Sequence, residues 1–434
     1  MKLSQRLQKW FAFGLGVKRW IFLLFGGIIL TSLGIALGIV KSIQIAVTPP
    51  IQIGWLEILL ALLAGLSLVA LSFLRLSNTI LAPYRVHQQG AVIDIVYTHS
   101  RKQKGIKVVA IGGGTGLPAS LRGVKAFTSN ITAVVTVADD GGSSGRLRRE
   151  LGVLPPGDLR NNIAALADDE SLMTRLFQYR FNTGDLNGHA FGNLFITALS
   201  GVTGSLETAL VETERVLNIQ GRVFPATLTD VRLAADVRMP AQRQTVTVEG
   251  ESAISEMGGQ IERIWLIPEN VEAYEGSVQA ILEADLVVIG PGSLYTSILP
   301  NMMVPGISDA LRATSAYKIY VCNIAMQPGE TDGYTVADHV LAMERHIGRG
   351  VFQAVIANNV YPSTDLGDNQ NTRYVMPAPV HHEILQRYEV QYTDLVDDAR
   401  PWRHDPNKLG KAILWLSQSE RQGARGLKPI TVNA

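Results

Sequence analysis

Two long stretches near the start of the chain interrupt its ordinary mixture of apolar and polar positions. Trp20–Val40 runs for 21 positions without a charged side chain, and Ile58–Leu74 for 17. As a helix at about 1.5 Å per residue, the first is roughly 30 Å long, the thickness of a bilayer's hydrocarbon core. The pattern predicts transmembrane helices over about residues 20–40 and 55–74, inside an anchor of residues 1–80. Two readings compete. A cleaved signal peptide has an apolar core of only about 7–15 residues and no second apolar run behind it. The other is a buried hairpin within a soluble fold. Lys2, Arg6, Lys9, Lys18 and Arg19 precede the first run, and Arg75 and Arg85 follow the second. Basic flanks stay on the cytoplasmic side. The expectation is a multi-pass membrane protein with both termini and the main domain cytoplasmic. Neither run holds an ionisable residue of the kind that marks a transport path.

Beyond a connector at 81–106 the pattern changes. The end of this connector is basic (Arg101, Lys102, Lys104, Lys107), which suits a solvated linker or an anionic membrane surface. From Lys107, short apolar runs rich in β-branched residues recur at Val108–Ile111, Ile131–Val137, Ile264–Ile267, Leu286–Ile289, Lys318–Val321 and Phe352–Ile356. Helical patterns separate them, as at Leu117–Phe127, Gly276–Glu283 and Thr335–Ile347. Continuously apolar strands between amphipathic helices predict a mostly parallel sheet covered on both faces, an α/β doubly wound, Rossmann-like domain spanning 107–418. Two insertions interrupt it. Pro155–Leu217 reads as helical, and within Val223–Glu249 "VRLAADVRM" and "QTVTVEGE" read as an antiparallel pair. No internal repeat stands out. Residues 419–434 read as a flexible tail.

Composition narrows the function. Lys and Arg (39) nearly balance Asp and Glu (38), so nothing argues for nucleic-acid binding. The single cysteine, Cys322, excludes an intramolecular disulfide framework and a cysteine-based zinc cluster. The chain has no Gly-x-Ser-x-Gly elbow, no His-Glu-x-x-His and no Cys-x-x-Cys.

In a doubly wound sheet, ligands sit beyond the carboxyl ends of the strands. Three segments place unusual residues there. The first is Gly112-Gly113-Gly114-Thr115-Gly116, a backbone cradle for an anion at the start of a helix. It is not a dinucleotide fingerprint, because the third required glycine falls on Leu117, and no Lys-Ser/Thr follows as in a P-loop. The second segment has Asp139 and Asp140, then Gly141, Gly142, Ser143, Ser144, Gly145 and Arg146. The acids suit ribose hydroxyls, a divalent metal or a helix cap. The third is Gly290-Pro291-Gly292-Ser293, with Ser293 placed to offer an N–H and a hydroxyl to phosphate. Tyr295 and Thr296 open the next helix, with Tyr295 either stacked on a base or packed in the core. Weaker candidates follow. Asp158 stands at an N-cap position, with Arg160 and Asn161 in the first turn, where an arginine is unfavourable without an anion. His189 and Asn193 read as four apart on one helical face. Arg403 stands before an Asp405-Pro406 helix start.

Seven segments together resemble the YvcK/CofD-like superfamily, most closely its gluconeogenesis factor branch. These are "VVAIGGGTGLPASLRGVK", "ITAVVTVADDGGSSGRLR", "PPGDLRNNIAAL", "GHAFGNLF", "ADLVVIGPGSLYTSILPN", "VCNIAMQPGET" and "RHDPNKLGKAI". They lie in the family's order between Lys107 and Leu416. The resemblance implies a domain that binds a UDP-sugar such as UDP-N-acetylglucosamine and regulates carbon metabolism, cell shape or envelope synthesis, with no established reaction. It assigns Arg403, and with it Tyr374, to nucleotide-sugar binding. The CofD branch instead transfers a phospholactyl group from a guanosine-diphosphate donor to a deazaflavin with magnesium, and Asp140 would then be its acid. "DDGGSSGRLR" follows the first branch. A homo-oligomer is compatible with the sequence, which names no regulatory protein partner.

Overall fold

The computed structural model describes residues 17–42, 54–85, 102–167, 172–239, 244–362 and 373–424. Lys2, Arg6, Lys9, Arg101 and most of the expected connector lie outside these residues. The chain divides into two compact units, Met1–Thr98 and His99–Ala434.

The first unit is a pair of helices, α1 (Val17–Ser42) and α2 (Trp55–Arg85). The second continues past the apolar run expected to end at Leu74. The two are antiparallel: Gly27 meets Val69, Gly34 meets Leu62 and Gly38 faces Ile58. A methyl at Gly27 or Gly65 would collide with the opposite backbone, so small residues set the close approach. The outward faces are apolar and exposed, with Phe22, Phe25, Ile29, Leu56 and Phe73 among them. Trp20 lies against Arg19 and Arg75 at one end, and Trp55 against Lys41 at the other. Arg19–Ser42 and Trp55–Ser77 are long and apolar enough to cross a membrane.

The second unit is built on seven parallel strands. β1 (Val108–Gly112), α3 (Leu117–Lys125) and β2 (Ile131–Val135) open it. α4 (Gly142–Leu151) comes first, and the expected helical insertion then holds α5 (Gly157–Leu166), α6 (Leu172–Gln178), α7 (Phe191–Thr203) and α8 (Leu206–Leu217), which leads to β3 (Arg222–Pro225). A separate antiparallel sheet holds β4 (Arg232–Met239), β5 (Gln244–Glu249) and β6 (Gln260–Ile267), with α9 (Glu251–Met257) between the last two. The chain returns through α10 (Glu275–Leu282) to β7 (Leu286–Ile289). A π-helical turn, Leu294–Ile298, runs into α11 (Leu299–Met302), then α12 (Pro305–Ala313), β8 (Tyr317–Val321), α13 (Val336–Ile347) and β9 (Ala354–Asn358). The last elements are α14 (Ile384–Arg387), β10 (Glu389–Thr393), the hairpin β11 (Val396–Asp397) and β12 (Arg400–His404), and α15 (Pro406–Ala424).

The sheet order is β10-β9-β8-β7-β1-β2-β3. From β1 the chain first winds toward β3, and from β7 it winds toward β10. Right-handed crossovers in opposite directions place their helices on opposite faces. α3, α5 and α15 pack together in one layer, and α10 packs on α12 and α11 on α13 in the other. β1, β7 and β9 are buried along their whole length, as strands covered on both faces must be.

Three expectations need correction. Ile264–Ile267 belongs to the small antiparallel sheet. The strand it ends alternates buried Ile261, Ile264 and Leu266 with more exposed Glu262, Arg263 and Trp265, the signature of a sheet wetted on one side. Val223 belongs to the main sheet through β3, paired in parallel with β2. The region after Ser419 is not a tail at its start, since α15 continues to Ala424, held by Leu409, Ile413 and Leu416 in the core. That helix also fixes the geometry below. Gly123 of α3 and Gly410 of α15 touch backbone to backbone, with any methyl there 2.5 to 2.9 Å from the other chain segment.

Candidate functional site

The strand order reverses between β1 and β7, and ligand crevices form at such a point. A cleft of about 580 Å³ opens there. Its floor is two loops. Gly114, Thr115 and Gly116 follow β1, and Pro291, Gly292 and Ser293 follow β7. They are in direct backbone contact: a methyl on Gly116 would lie 2.6 Å from the Pro291 carbonyl oxygen and 2.8 Å from Gly292 N. Gly114 adopts φ 62°, a left-handed conformation glycine takes without strain. Gly116 caps α3, so the positive end of that helix abuts the cleft.

One wall is cationic and aromatic: Arg122 from α3, and Arg400, Trp402 and Arg403 from β12. His404 is buried and donates from Nε2 to the Cys322 carbonyl at 3.2 Å, which ties the end of β12 to the end of β8. Alternation along the strand then turns Arg403 outward. Burial pushes the His404 imidazole down to about 4, so it stays neutral in this role. Asp405 accepts from Asn407 N and Lys408 N at 2.8 Å each and so caps α15. Among the described residues Arg403 has no side-chain partner.

A second set of lining residues is acidic and hydroxylic, forming another wall: Glu251 and Ser255 of α9, Ser293, Thr296 and Glu330. Glu330 is buried. It accepts from Ser255 Oγ at 2.9 Å and from Ser293 Oγ in a shorter contact. Asn323 holds the β7 loop, accepting from Gly292 N at 3.1 Å and donating to its carbonyl at 2.8 Å.

Behind the floor lies a second polar cluster at the end of β2. Asp158 accepts from Gly114 N at 2.7 Å. Burial, then the neighbouring Asp139, pushes its carboxyl up to about 7. Burial also raises Asp139. Burial and four nearby carboxylates push Glu251 up to about 8. Arg160 is buried beside Asp139 and Asp158, and its own pKa is lowered by that burial.

The structure sorts the sequence candidates. Gly114, Thr115, Gly116, Pro291, Gly292, Ser293, Thr296 and Arg403 line the cleft. Gly112, Gly113 and Gly290 shape its floor from behind. Asp140 is not on the cleft. It accepts from Glu251 N at 3.0 Å and Ser252 N at 2.9 Å, capping α9. Gly141 caps α4, Gly142 through Arg146 form its first turns, and Gly145 lets that helix close on the Asp140 carbonyl. Ser143 bonds to His189 Nδ1 and accepts from Asn193 Nδ2, both at 3.0 Å. Ser144 bonds Asp139, and Arg146 donates to the Asn187 carbonyl. His189 precedes α7 rather than lying on it, so the expected helical face is a turn packed on Ser143. Asp158 sits inside α5 and binds the first glycine loop instead of capping its own helix. The nearby acids Asp158 and Asp139 favour the charged form of Arg160, against burial and Arg180. Asn161 accepts from Arg160 at 2.6 Å. Tyr295 is fully buried with its hydroxyl 2.8 Å from that of Tyr334, so it is a core residue. Tyr374 bridges to Ala325, one backbone behind the cleft.

Sequence reasoning missed Arg122, Arg400, Trp402, Glu251, Ser255, Asn323 and Glu330. Arg122 stands within the quoted "VVAIGGGTGLPASLRGVK", and Asn323 and Glu330 within "VCNIAMQPGET"; the others carry no local signal. Among the described residues no three ligating side chains are grouped for a metal ion, and both Asp140 oxygens are occupied.

The family described as 2-phospho-L-lactate transferase CofD matches residues 108–397. A relative from Nostoc sp. is 44% identical over 433 residues, 95% of this chain and 94% of its own length. The gluconeogenesis factor of Bacillus subtilis is 44% identical over 318 residues, 71% of this chain and 98% of the relative. A crystal structure of an upf0052 family member from Bacillus halodurans aligns with a TM-score of 0.66 at 41% identity, covering 71% of this chain and 99% of that one.

Proposed function

The chain belongs to the CofD family, and from that premise we propose that its cleft binds a UDP-sugar and that the protein is a regulator of the gluconeogenesis-factor kind. The observation that carries the reading is the cationic wall. Arg122, Arg400 and Arg403 line the same cleft as the glycine loops and the N-terminus of α3, with Arg400 also paired to Asp397 at 3.1 Å. This is the chemistry that holds a diphosphate. The exposed indole of Trp402 stands on the same wall and offers a face for the base. The names of the relatives supply the physiological setting of carbon metabolism, with cell shape and envelope synthesis as the processes a UDP-sugar would report on. In the same reading α1 and α2 anchor the protein in the membrane with the second unit facing the cytoplasm.

The test is calorimetry on the full-length protein in detergent micelles with UDP-N-acetylglucosamine. Binding is expected. Arg403→Ala removes charge-assisted hydrogen bonds worth about 1.5–3 kcal/mol, so affinity falls about tenfold or more while the melting temperature barely moves. No binding of any UDP-sugar at millimolar concentration sinks the proposal. The transferase reading predicts instead that a deazaflavin acceptor is modified. The capping role of Asp140 argues against that acid as a reacting group.

A further inference from the structure

The acidic wall of the cleft has a polarity that its residue types alone do not reveal. A serine or threonine hydroxyl has one proton to give and lone pairs to accept with. Ser255 and Ser293 both direct that proton to Glu330. Thr296 spends its own on Ser293 Oγ at 2.6 Å, with Glu330 Oε1 at 3.3 Å as the alternative. The three hydroxyls therefore turn lone pairs, not protons, toward the cleft. Glu251 adds a carboxyl to the same wall. Ser293, expected to donate to phosphate, is instead an acceptor.

We infer that this wall reads the neutral, hydroxyl-bearing end of the ligand and rejects a second anionic group there. Glu330 is the positioning residue that sets the direction of the hydroxyls. The inference rests on the UDP-sugar reading and extends it to a substrate class: UDP-linked neutral sugars over UDP-linked sugar acids. The cleft is then divided. Phosphates lie against Arg122, Arg400 and Arg403, and sugar hydroxyls or an amide N–H donate to Ser255, Ser293, Thr296 and the two glutamates. A carboxylate on the sugar would face the lone pairs of the three hydroxyls, whose protons are spent within the Glu330 network, a repulsion that costs affinity much as an unpaired buried charge does.

The experiment compares UDP-glucose with UDP-glucuronate by calorimetry on the full-length protein in micelles. The two differ by one carboxylate. The expected result is binding of UDP-glucose and at least tenfold weaker binding of UDP-glucuronate. Glu330→Gln frees the hydroxyl protons to turn toward the cleft, and Glu251→Gln, read above about pH 8 where the native carboxyl is ionised, removes a charge from the wall. Each should narrow the ratio severalfold, with UDP-glucuronate gaining affinity. A purely structural role for Glu330 would weaken both ligands equally and leave the ratio unchanged. Ser255 Oγ reaches the Glu251 carbonyl at 3.3 Å, a backbone contact that Glu251→Gln retains, so this substitution serves as the second variant should Glu330→Gln fail to fold. Equal binding of the two sugars by the native protein overturns the inference while leaving the UDP-sugar reading intact. An unchanged ratio in both variants also overturns it. Failure of both sugars to bind overturns the UDP-sugar reading itself, and the inference with it.

Discussion

Substitution of Gly116 by alanine tests the contact on which the cleft depends. The backbone there has φ −84° and ψ −50°, which alanine adopts freely, so the effect is steric and not conformational. The new methyl would stand 2.6 Å from the Pro291 oxygen, about 0.8 Å short of ordinary van der Waals contact at 3.4 Å. The atoms it meets are backbone in the β7 loop, itself held by Asn323, and cannot swing aside as a side chain would. Overpacking of this kind costs about 1–3 kcal/mol. At about 2–4 °C per kcal/mol for a large domain, the melting temperature should fall by about 2–12 °C. The two loops must also separate by a large fraction of an ångström, so ligand affinity should fall with stability. Gly201→Ala is the control. It lies in α7 with nothing within 4 Å of the added methyl, and replacing glycine in a helix gains about 0.5–1 kcal/mol. Scanning calorimetry with and without UDP-N-acetylglucosamine reads both variants. If Gly116→Ala melts and binds like the native protein, the loops do not pack backbone to backbone and the site is wrongly built.

Three further expectations follow from the same geometry. Asp158 and Glu251 keep their protons up to about 7 and about 8 in the folded state but release them near 4 when unfolded. The native state then binds more protons across that window, so this stability is full below about pH 4 and is lost as pH rises to about 8. Asp158→Asn, which retains an acceptor for Gly114 N, should flatten that slope in denaturant melts between pH 5 and 8; an unchanged slope would place the titration elsewhere. Asp140→Ala should cost about 1 kcal/mol as a lost helix cap yet leave nucleotide-sugar affinity within about twofold, because the residue lies off the cleft. Removing residues 1–98 should yield a protein that stays in solution and still binds ligand, while the full-length chain sediments with membranes on cell fractionation. Full-length protein in the soluble fraction would contradict the anchor.

The elements that sequence periodicity revealed are the ones whose burial is complete. Val108–Ile111 and Leu286–Ile289 are apolar at every position because both faces of the sheet are covered, and that uniformity is visible without coordinates. The polar edge strand Glu389–Thr393 went unseen, since an edge strand in contact with water carries no such mark. Ile264–Ile267 was assigned to the wrong sheet, because an apolar run does not say which neighbours it pairs with. Among site residues, the glycine loops were legible as backbone chemistry written in consecutive positions. Arg122 and Glu330 were not, although each lies inside a quoted motif, because nothing in the chain shows which side chains reach the cleft, and Trp402 has no motif around it.

By itself the sequence determined the two-helix apolar segment, the doubly wound class, the family and the two glycine loops that form the floor of the cleft. These follow from local pattern and from motifs whose residues are neighbours in the chain. Only the tertiary structure decided what each polar group does. It turned Asp140 into a helix cap, took Asp158 from its own helix to the first glycine loop, and sent Tyr295 into the core. It brought Arg122, Arg400 and Arg403, from distant segments, to one wall. The physical reason is that a charge or hydroxyl acquires its role from the partner it meets. Those partners, such as Glu330 for Ser293 or Glu251 N for Asp140, are 37 and 111 residues away along the chain.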